Sequence, residues 1–241
     1  MDEERNITDD LSDIETTDLL QSLPNYFEFS GDILNSAYLT WRFDAKRDVE
    51  IKFYELGKAY FTTALLLIDT CLANNRDKKA DTWIFPIMFH IVHGIEVYIK
   101  GFLSQYVILT KLKTKEYQAS NTKKGHDIND LCDDVLDLLL INDDKVIHAE
   151  YTFVRKFIEI LYENTNDMAF ARYPQKNNKT DHFYVSQTNN ITIDLNVFKA
   201  WVVRVFRILD SSTGYIDFQI DELKEKLYKE QHGEEFIEGD M

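Results

Sequence analysis

The sequence is poor in the residues that tight turns and covalent cross-links require. It has 8 glycines and 3 prolines among 241 residues, too few for an all-β protein built on many turns, so helices are favoured. Its two cysteines, Cys71 and Cys132, exclude a disulfide scaffold and predict reduced thiols in a cytoplasmic protein. The acidic residues 1–18 lack the apolar segment of a signal peptide.

Several catalytic motifs are absent as well. The chain has no Gly-rich phosphate loop, no Gly-x-Ser-x-Gly, no Cys-x-x-Cys and no His-Glu-x-x-His, which argues against the enzyme classes that depend on them. Neither cysteine has a local catalytic motif, so we predict that both are core residues. No cofactor and no metal are expected.

The negative charge is concentrated at the two ends. The net charge is −15, with eight acids against one arginine in residues 1–20 and nine acids against three lysines in residues 215–241. Residues 111–124 instead hold five lysines against one glutamate. The middle of the chain can therefore present a basic surface to a phosphate. The simpler interpretation of the acidic ends is solubility, and the alternative is that one of them shields a basic site.

Apolar residues recur at steps of three and four along most of the chain, which predicts amphipathic or buried helices. The predicted helices cover about residues 48–74, 82–112, 127 onward, 144–164 and 195–210. Gly214 is expected to end the fifth helix, and a further short helix is expected at 221–229.

We expect an all-α fold, a helical bundle of about five helices with one small β-hairpin insertion. The hairpin is predicted from the alternating segments 182–186 and 191–195. The helical domain would occupy residues 46–214, between an acidic N-terminal extension, 1–45, and an acidic C-terminal tail, 215–241.

The second predicted helix is apolar nearly all round but carries ionisable residues at regular intervals. His90, His93, Glu96 and Lys100 follow steps of three and four, and several such groups are costly in hydrocarbon, so we predict no membrane span. Buried polar groups must find partners. A structural network is the first interpretation, a ligand-binding pocket the second, and a His-x-x-His-x-x-Glu metal site the last.

A basic loop leads into the third predicted helix. Gly125 allows a turn and Asp127 can cap the helix, which leaves His126 at its positive end. His126 there either packs against the backbone or serves as a general base. Lys123 and Lys124 precede it and are candidate phosphate contacts.

Arginines mark two further candidate positions. Arg172 lies two residues before a proline, followed by Tyr173, and an ordered arginine suits a carboxylate or a phosphate. Pairing of Arg172 with Glu96 is the plainer interpretation. Arg204 and Arg207 share a face of the fifth helix, which we interpret first as a solvated face and second as a phosphate contact.

Three segments together resemble the HEPN domain (higher eukaryotes and prokaryotes nucleotide-binding), in order and in spacing. The resemblance covers about residues 48–211 and implies an all-α protein of a prokaryotic toxin–antitoxin, abortive-infection or phage-defence system. The segments are His93-Gly-Ile-Glu96-Val-Tyr-Ile-Lys100-Gly-Phe-Leu, Gly125-His126-Asp127-Ile-x-x-Leu131 and Ala171-Arg172-Tyr173-Pro174.

Ribonucleases of that family share an arginine followed, after four to six residues, by a histidine, supplied twice by a dimer. No arginine of this chain has a histidine at that distance. The resemblance therefore implies a binding or regulatory protein, a homodimer that binds RNA, a nucleotide or a protein partner of a defence module. The predicted contacts are His93, Glu96, Lys100, Lys123, Lys124, Tyr173, Arg204 and Arg207.

The alternative function is a metal-independent endoribonuclease with a non-standard site. His126 would then be the general base towards the 2′-hydroxyl, and Arg172 would stabilise the charge of the phosphorane. Both side chains would have to reach the same phosphate.

Overall fold

The structure is a computed structural model. It describes residues 27, 31, 34–38, 49–114, 125–165, 168–173, 179–182 and 191–232. The chain divides into two compact units, Met1–Arg42 and Phe43–Met241. In the first unit Gly31 takes a φ of 90°, a left-handed conformation that favours glycine. Every helix discussed below belongs to the second unit.

The described part of the second unit contains five α-helices and no strand, so the predicted all-α character is confirmed. A short 3-10 helix, Met168–Ala171, precedes the last of them. The α-helices are α1 (Val49–Ala73), α2 (Ala80–Thr114), α3 (Ile128–Ile141), α4 (Lys145–Thr165) and α5 (Leu195–His232).

The first two helices are antiparallel and approach each other closely at glycines. A Cβ atom on Gly57 would lie 2.6 Å from Cδ2 of Tyr98, and one on Gly94 would lie 3.0 Å from Cδ2 of Phe61. Because no side chain larger than hydrogen fits at Gly57 without movement, that glycine sets the distance between α1 and α2.

Helix α2 is the centre of the bundle, as its nearly continuous apolar sequence predicts. Ile91, Ile95, Tyr98 and Phe102 are buried. Helix α5 runs parallel to α2, since the Tyr98 hydroxyl donates to Oδ1 of Asp210 at 3.0 Å, and Gln105, further along α2, contacts Asp217, further along α5. The predicted core cysteines, Cys71 and Cys132, are buried and free.

Helices α3 and α4 form an antiparallel pair. The Arg155 guanidinium donates to Oδ1 of Asp133 at 2.7 Å and to Oδ1 of Asn129 at 2.8 Å. Burial raises the pKa of the Cys132 thiol, near this pair, to about 12. The thiol therefore stays protonated and behaves as an apolar core group.

The predicted end of the fifth helix is wrong, because α5 continues through Gly214 to His232. Gly214 is exposed, and a Cβ atom there would meet nothing within 4 Å. Ile216 and Ile220, beyond it, are buried. Burial of these side chains outweighs the cost of about 1 kcal/mol for one glycine inside a helix. The expected short helix at 221–229 is the last part of α5.

The predicted hairpin lies largely outside the described residues, which exclude 183–190. Residues 191–194 are not part of a strand and lead directly into α5. Within the described residues, the fold is thus a bundle of five α-helices with one short 3-10 helix.

Two stretches, Ile51–Ala73 and Ala80–Lys113, are long and apolar enough to cross a membrane by length and composition alone. The core helix of a soluble protein meets the same criterion. Half of the apolar stretch of α2 and 28% of that of α1 are buried inside the bundle.

Candidate functional site

The polar residues of α2 and the start of α3 meet at a single carboxylate. Oε1 of Glu96 accepts hydrogen bonds from Nζ of Lys100 at 2.7 Å and from Nδ1 of His126 at 2.7 Å. Oε2 of Glu96 is 3.3 Å from Nδ1 of His93. We call these four residues, His93, Glu96, Lys100 and His126, the Glu96 cluster.

The cluster forms for reasons that begin in the local sequence. His93 and Lys100 are three and four residues from Glu96, so one helix face holds all three. Asp127 caps α3 as predicted: its Oδ1 accepts from the backbone N–H of Asn129 at 2.8 Å. This cap fixes the start of α3 and, with it, the position of His126 beside α2.

A tyrosine of α4, which the sequence did not single out, strengthens the same cap. The Tyr162 hydroxyl donates to Oδ1 of Asp127 at 2.8 Å. Burial and this hydrogen bond raise the pKa of Tyr162, so the hydroxyl keeps its proton and remains a donor. No local pattern connects residues 35 positions apart, and only the antiparallel packing of α3 and α4 brings them together.

The hydrogen bonds define the tautomer of His126. Its Nδ1 is 2.7 Å from the Glu96 oxygen, which can only accept, and 3.3 Å from Nζ of Lys100, which can only donate. The shorter contact places the proton on Nδ1. The His126 side chain is 88% exposed, so its Nε2 is open to solvent and can accept a proton or a hydrogen bond.

Glu96 carries a full negative charge at neutral pH. Its side chain is only 11% exposed. Burial raises the pKa of Glu96, but hydrogen bonds from Lys100 and His126 and the nearby charges outweigh burial and hold the pKa below its ordinary value of 4.5. The carboxylate therefore anchors the three nitrogen groups around it.

Aromatic side chains hold His93 in place. Its ring is stacked on Phe89, with centroids 5.7 Å apart, and meets the ring of Tyr60 edge-on at 4.7 Å. These two rings, from α2 and α1, limit the orientations open to the imidazole. Apart from their place on apolar helices, no pattern in the sequence pointed to these contacts.

His90, one turn before His93, is not part of the cluster. Its ring packs on Tyr60 at 5.6 Å, and its Nδ1 is buried without a hydrogen-bond partner in the described part of the chain. Burial, and then the charge of His93, lowers the pKa of His90. His90 is a neutral packing residue, and among the described residues no group of His, Cys, Asp or Glu could hold a metal ion.

The structure does not bring Arg172 into contact with the cluster. Both Arg172 and Tyr173 are exposed, and the guanidinium is 5.9 Å from the centroid of the Tyr173 ring. The interpretation of an Arg172–Glu96 pair is wrong, since the described ion pairs of Glu96 are those with Lys100 and the two histidines. The 3-10 helix before Arg172 instead contacts α2 nearer to Met88.

Arg204 and Arg207 form a separate basic face on α5. Both are exposed, and the Arg204 guanidinium is 5.6 Å from the centroid of the Phe153 ring. Phe153 in turn stacks on Trp201 at 4.7 Å. This face shows no contact with the Glu96 cluster among the described residues. Lys123 and Lys124, also predicted contacts, lie outside the described residues.

The chain matches no family model, no curated protein and no solved structure. The class is therefore defined by the fold and the site alone. The protein is a helical bundle in which one ionised carboxylate contacts two histidines and a lysine.

Proposed function

We propose that this protein is a HEPN-like binding protein that holds a phosphate group of RNA or of a nucleotide at the Glu96 cluster. The observation that supports this is that three nitrogen-bearing side chains, two imidazoles and one ammonium group, surround a single carboxylate. Lys100 already balances the charge of Glu96, so each histidine that takes up a proton adds a net positive charge. A protonated imidazole donates a charge-assisted hydrogen bond to a phosphate.

The stretch of sequence between Lys100 and His126 supports the same ligand, because it is rich in lysine. Lys111 and Lys113 lie at the end of α2, and Lys123 and Lys124 precede Gly125. Phosphate contacts of this kind supply affinity without reading sequence. The proposed setting is a prokaryotic defence or toxin–antitoxin type system in the cytoplasm, where a protein of the same module would be a further partner.

Binding without cleavage is favoured because the arginine required by the alternative does not contact the cluster. One observation supports the alternative, a metal-independent endoribonuclease: Glu96 fixes Nδ1 of His126 and leaves its Nε2 open to solvent. A general base needs that arrangement. The alternative would have to use Lys100 in place of Arg172 to stabilise charge.

The binding proposal is tested with the full chain, a fluorescently labelled single-stranded RNA of mixed sequence, and ATP in a separate titration. We expect His126→Ala to weaken RNA binding, measured by fluorescence anisotropy, by about tenfold, a value in the range for a lost charge-assisted hydrogen bond. His148→Ala, on α4, is the matched control and should leave the affinity unchanged. Equal affinities for wild type and His126→Ala would refute the proposal.

Cleavage is tested separately by incubating the protein with total RNA in EDTA at several pH values. The binding proposal predicts intact RNA. Cleavage that persists in EDTA and disappears in His126→Ala would establish the ribonuclease instead.

The proposed homodimer would form through the exposed face of α1. Leu56, Ala59, Thr63, Leu66 and Thr70 are exposed, uncharged and spaced by three and four residues. An antiparallel pairing with a second copy places Leu66 beside Thr63 and Ala59 beside Thr70, so a large residue meets a smaller one in the middle of the contact.

A further inference from the structure

A cavity of about 330 Å³ is lined by none of the residues of the Glu96 cluster. It is bounded by α4, the 3-10 helix and the start of α5, with Met88 of α2 at one side. Its walls are mostly apolar, and four of the lining residues are aromatic: Phe157, Phe170, Phe198 and Trp201. The volume is at the lower end of the range for small-molecule sites.

Two polar side chains of α4 line this cavity, and each donates one hydrogen bond within its own helix. The amide nitrogen of Asn164 donates to the carbonyl oxygen of Ile160 at 2.7 Å, and the Thr165 hydroxyl donates to that of Leu161 at 2.7 Å. The Thr165 hydroxyl is left with lone pairs that can only accept, and the Asn164 amide is left with its carbonyl oxygen and one N–H.

The third polar side chain with fixed hydrogen bonds is Asp194, the cap of α5. Its Oδ1 accepts from the backbone N–H groups of Asn196 at 2.9 Å and Val197 at 3.1 Å. These amides, which would otherwise attract an anion, are occupied by a carboxylate of the protein itself. The cavity is also lined by Thr192. Its exposed hydroxyl can donate or accept, so it favours neither donors nor acceptors on a ligand.

We propose that this cavity binds a small aromatic compound that carries a cationic amine. The aromatic walls match a planar apolar ring, and Asp194, Asn164 and Thr165 offer acceptors to N–H donors. A carboxylate on the same ring would be repelled by the Asp194 charge, and the donors open to it, one N–H of Asn164 and the Thr192 hydroxyl, carry no charge in compensation. The site is independent of the phosphate-binding function proposed above, and failure of either leaves the other standing.

Three probes that share one ring test the proposal: tryptamine, indole and indole-3-acetate, each titrated into the full chain by isothermal calorimetry. We expect tryptamine to bind most tightly and indole-3-acetate about tenfold more weakly or worse. Equal binding of the cation and the anion overturns the proposal, and so does the absence of binding by all three probes at millimolar concentration.

The chain has a net charge of −15, which attracts any cation, so variants must locate the effect. Asp194→Asn removes the charge but preserves the cap, since asparagine caps helices as well as aspartate does. We expect tryptamine to bind about three- to tenfold more weakly to this variant, with indole unchanged. An unchanged affinity for tryptamine refutes the role of Asp194.

A second pair of variants locates the cavity itself. Ile193→Trp places a large ring in the cavity and should abolish binding of tryptamine and indole alike. Ile141→Trp adds the same ring at the exposed end of α3 and should leave binding as in wild type. Retention of tryptamine binding in Ile193→Trp would show that the probe sits elsewhere and would overturn the proposal.

Discussion

The properties of single side chains in this protein depend on the neighbours that the helices bring into contact with them. Glu96 is the clearest case, because a buried carboxylate alone would be destabilising, whereas three nitrogen groups around it reverse that effect. His126 is positioned from the other side by the cap of α3. The function proposed for the site depends on this mutual arrangement rather than on any one side chain.

Stability should therefore depend on pH through Glu96. Because its pKa is lower in the folded than in the unfolded protein, its contribution is present above the ordinary value of 4.5 and is lost as the pH falls through the folded value. We expect Glu96→Gln to lower the free energy of unfolding by about 1–3 kcal/mol at pH 7 and by less at about pH 3. Urea unfolding followed by circular dichroism measures both.

Glu163→Gln is the control for that experiment, since Glu163 is exposed on α4. It should change stability by less than about 0.5 kcal/mol at either pH. A penalty for Glu96→Gln that is the same at both pH values would show that the loss comes from packing and not from the carboxylate charge.

The part of the site that lies within one helix could be predicted from the sequence, and the rest could not. The spacing of His93, Glu96 and Lys100 sets their common face through helix geometry alone. Contact with His126 depends on how α3 crosses α2, which no local pattern encodes. For the same reason the expected pairing of Arg172 was wrong, because it required knowledge of which end of α2 the 3-10 helix contacts.

At the scale of helices, Gly214 shows how packing overrides local preference. The periodic apolar residues and the Asp127 cap predicted α1 to α4 to within a few residues, because each signal is local. Gly214 was expected to end α5, and local preference supports that expectation. Ile216 and Ile220 continue the buried face beyond it, so contacts that no local rule contains decide the length of the helix.

Two glycine substitutions should therefore have opposite effects. Gly214→Ala fills open space inside a helix and should stabilise the protein by about 0.5–1 kcal/mol. Gly57→Ala places a Cβ atom 2.6 Å from the Tyr98 ring and should destabilise it by about 1–3 kcal/mol. Both changes are measured from the urea midpoints, provided that the unfolding free energy has the same dependence on urea concentration in each variant and in wild type. Destabilisation by Gly214→Ala would mean that the helix is interrupted there.

The charges of the whole molecule limit how RNA can bind. A chain with a net charge of −15 repels a phosphate backbone at long range, so any affinity must come from a local group of cations. Few phosphate contacts give a shallow dependence of affinity on salt. A local binding site of the kind proposed at the Glu96 cluster meets this requirement, whereas an extended basic surface would not.

Dimerisation is the remaining property of the whole molecule, and one side chain of α1 tests it. Leu66 is 66% exposed in the uncharged stripe of α1, and a charge there would have to be buried in the proposed pairing. We expect wild type to be a dimer and Leu66→Glu a monomer by light scattering after gel filtration. Leu140→Glu, at an exposed leucine of α3, should remain dimeric. A monomeric wild type, or a dimer that survives Leu66→Glu, would show that α1 does not form the interface.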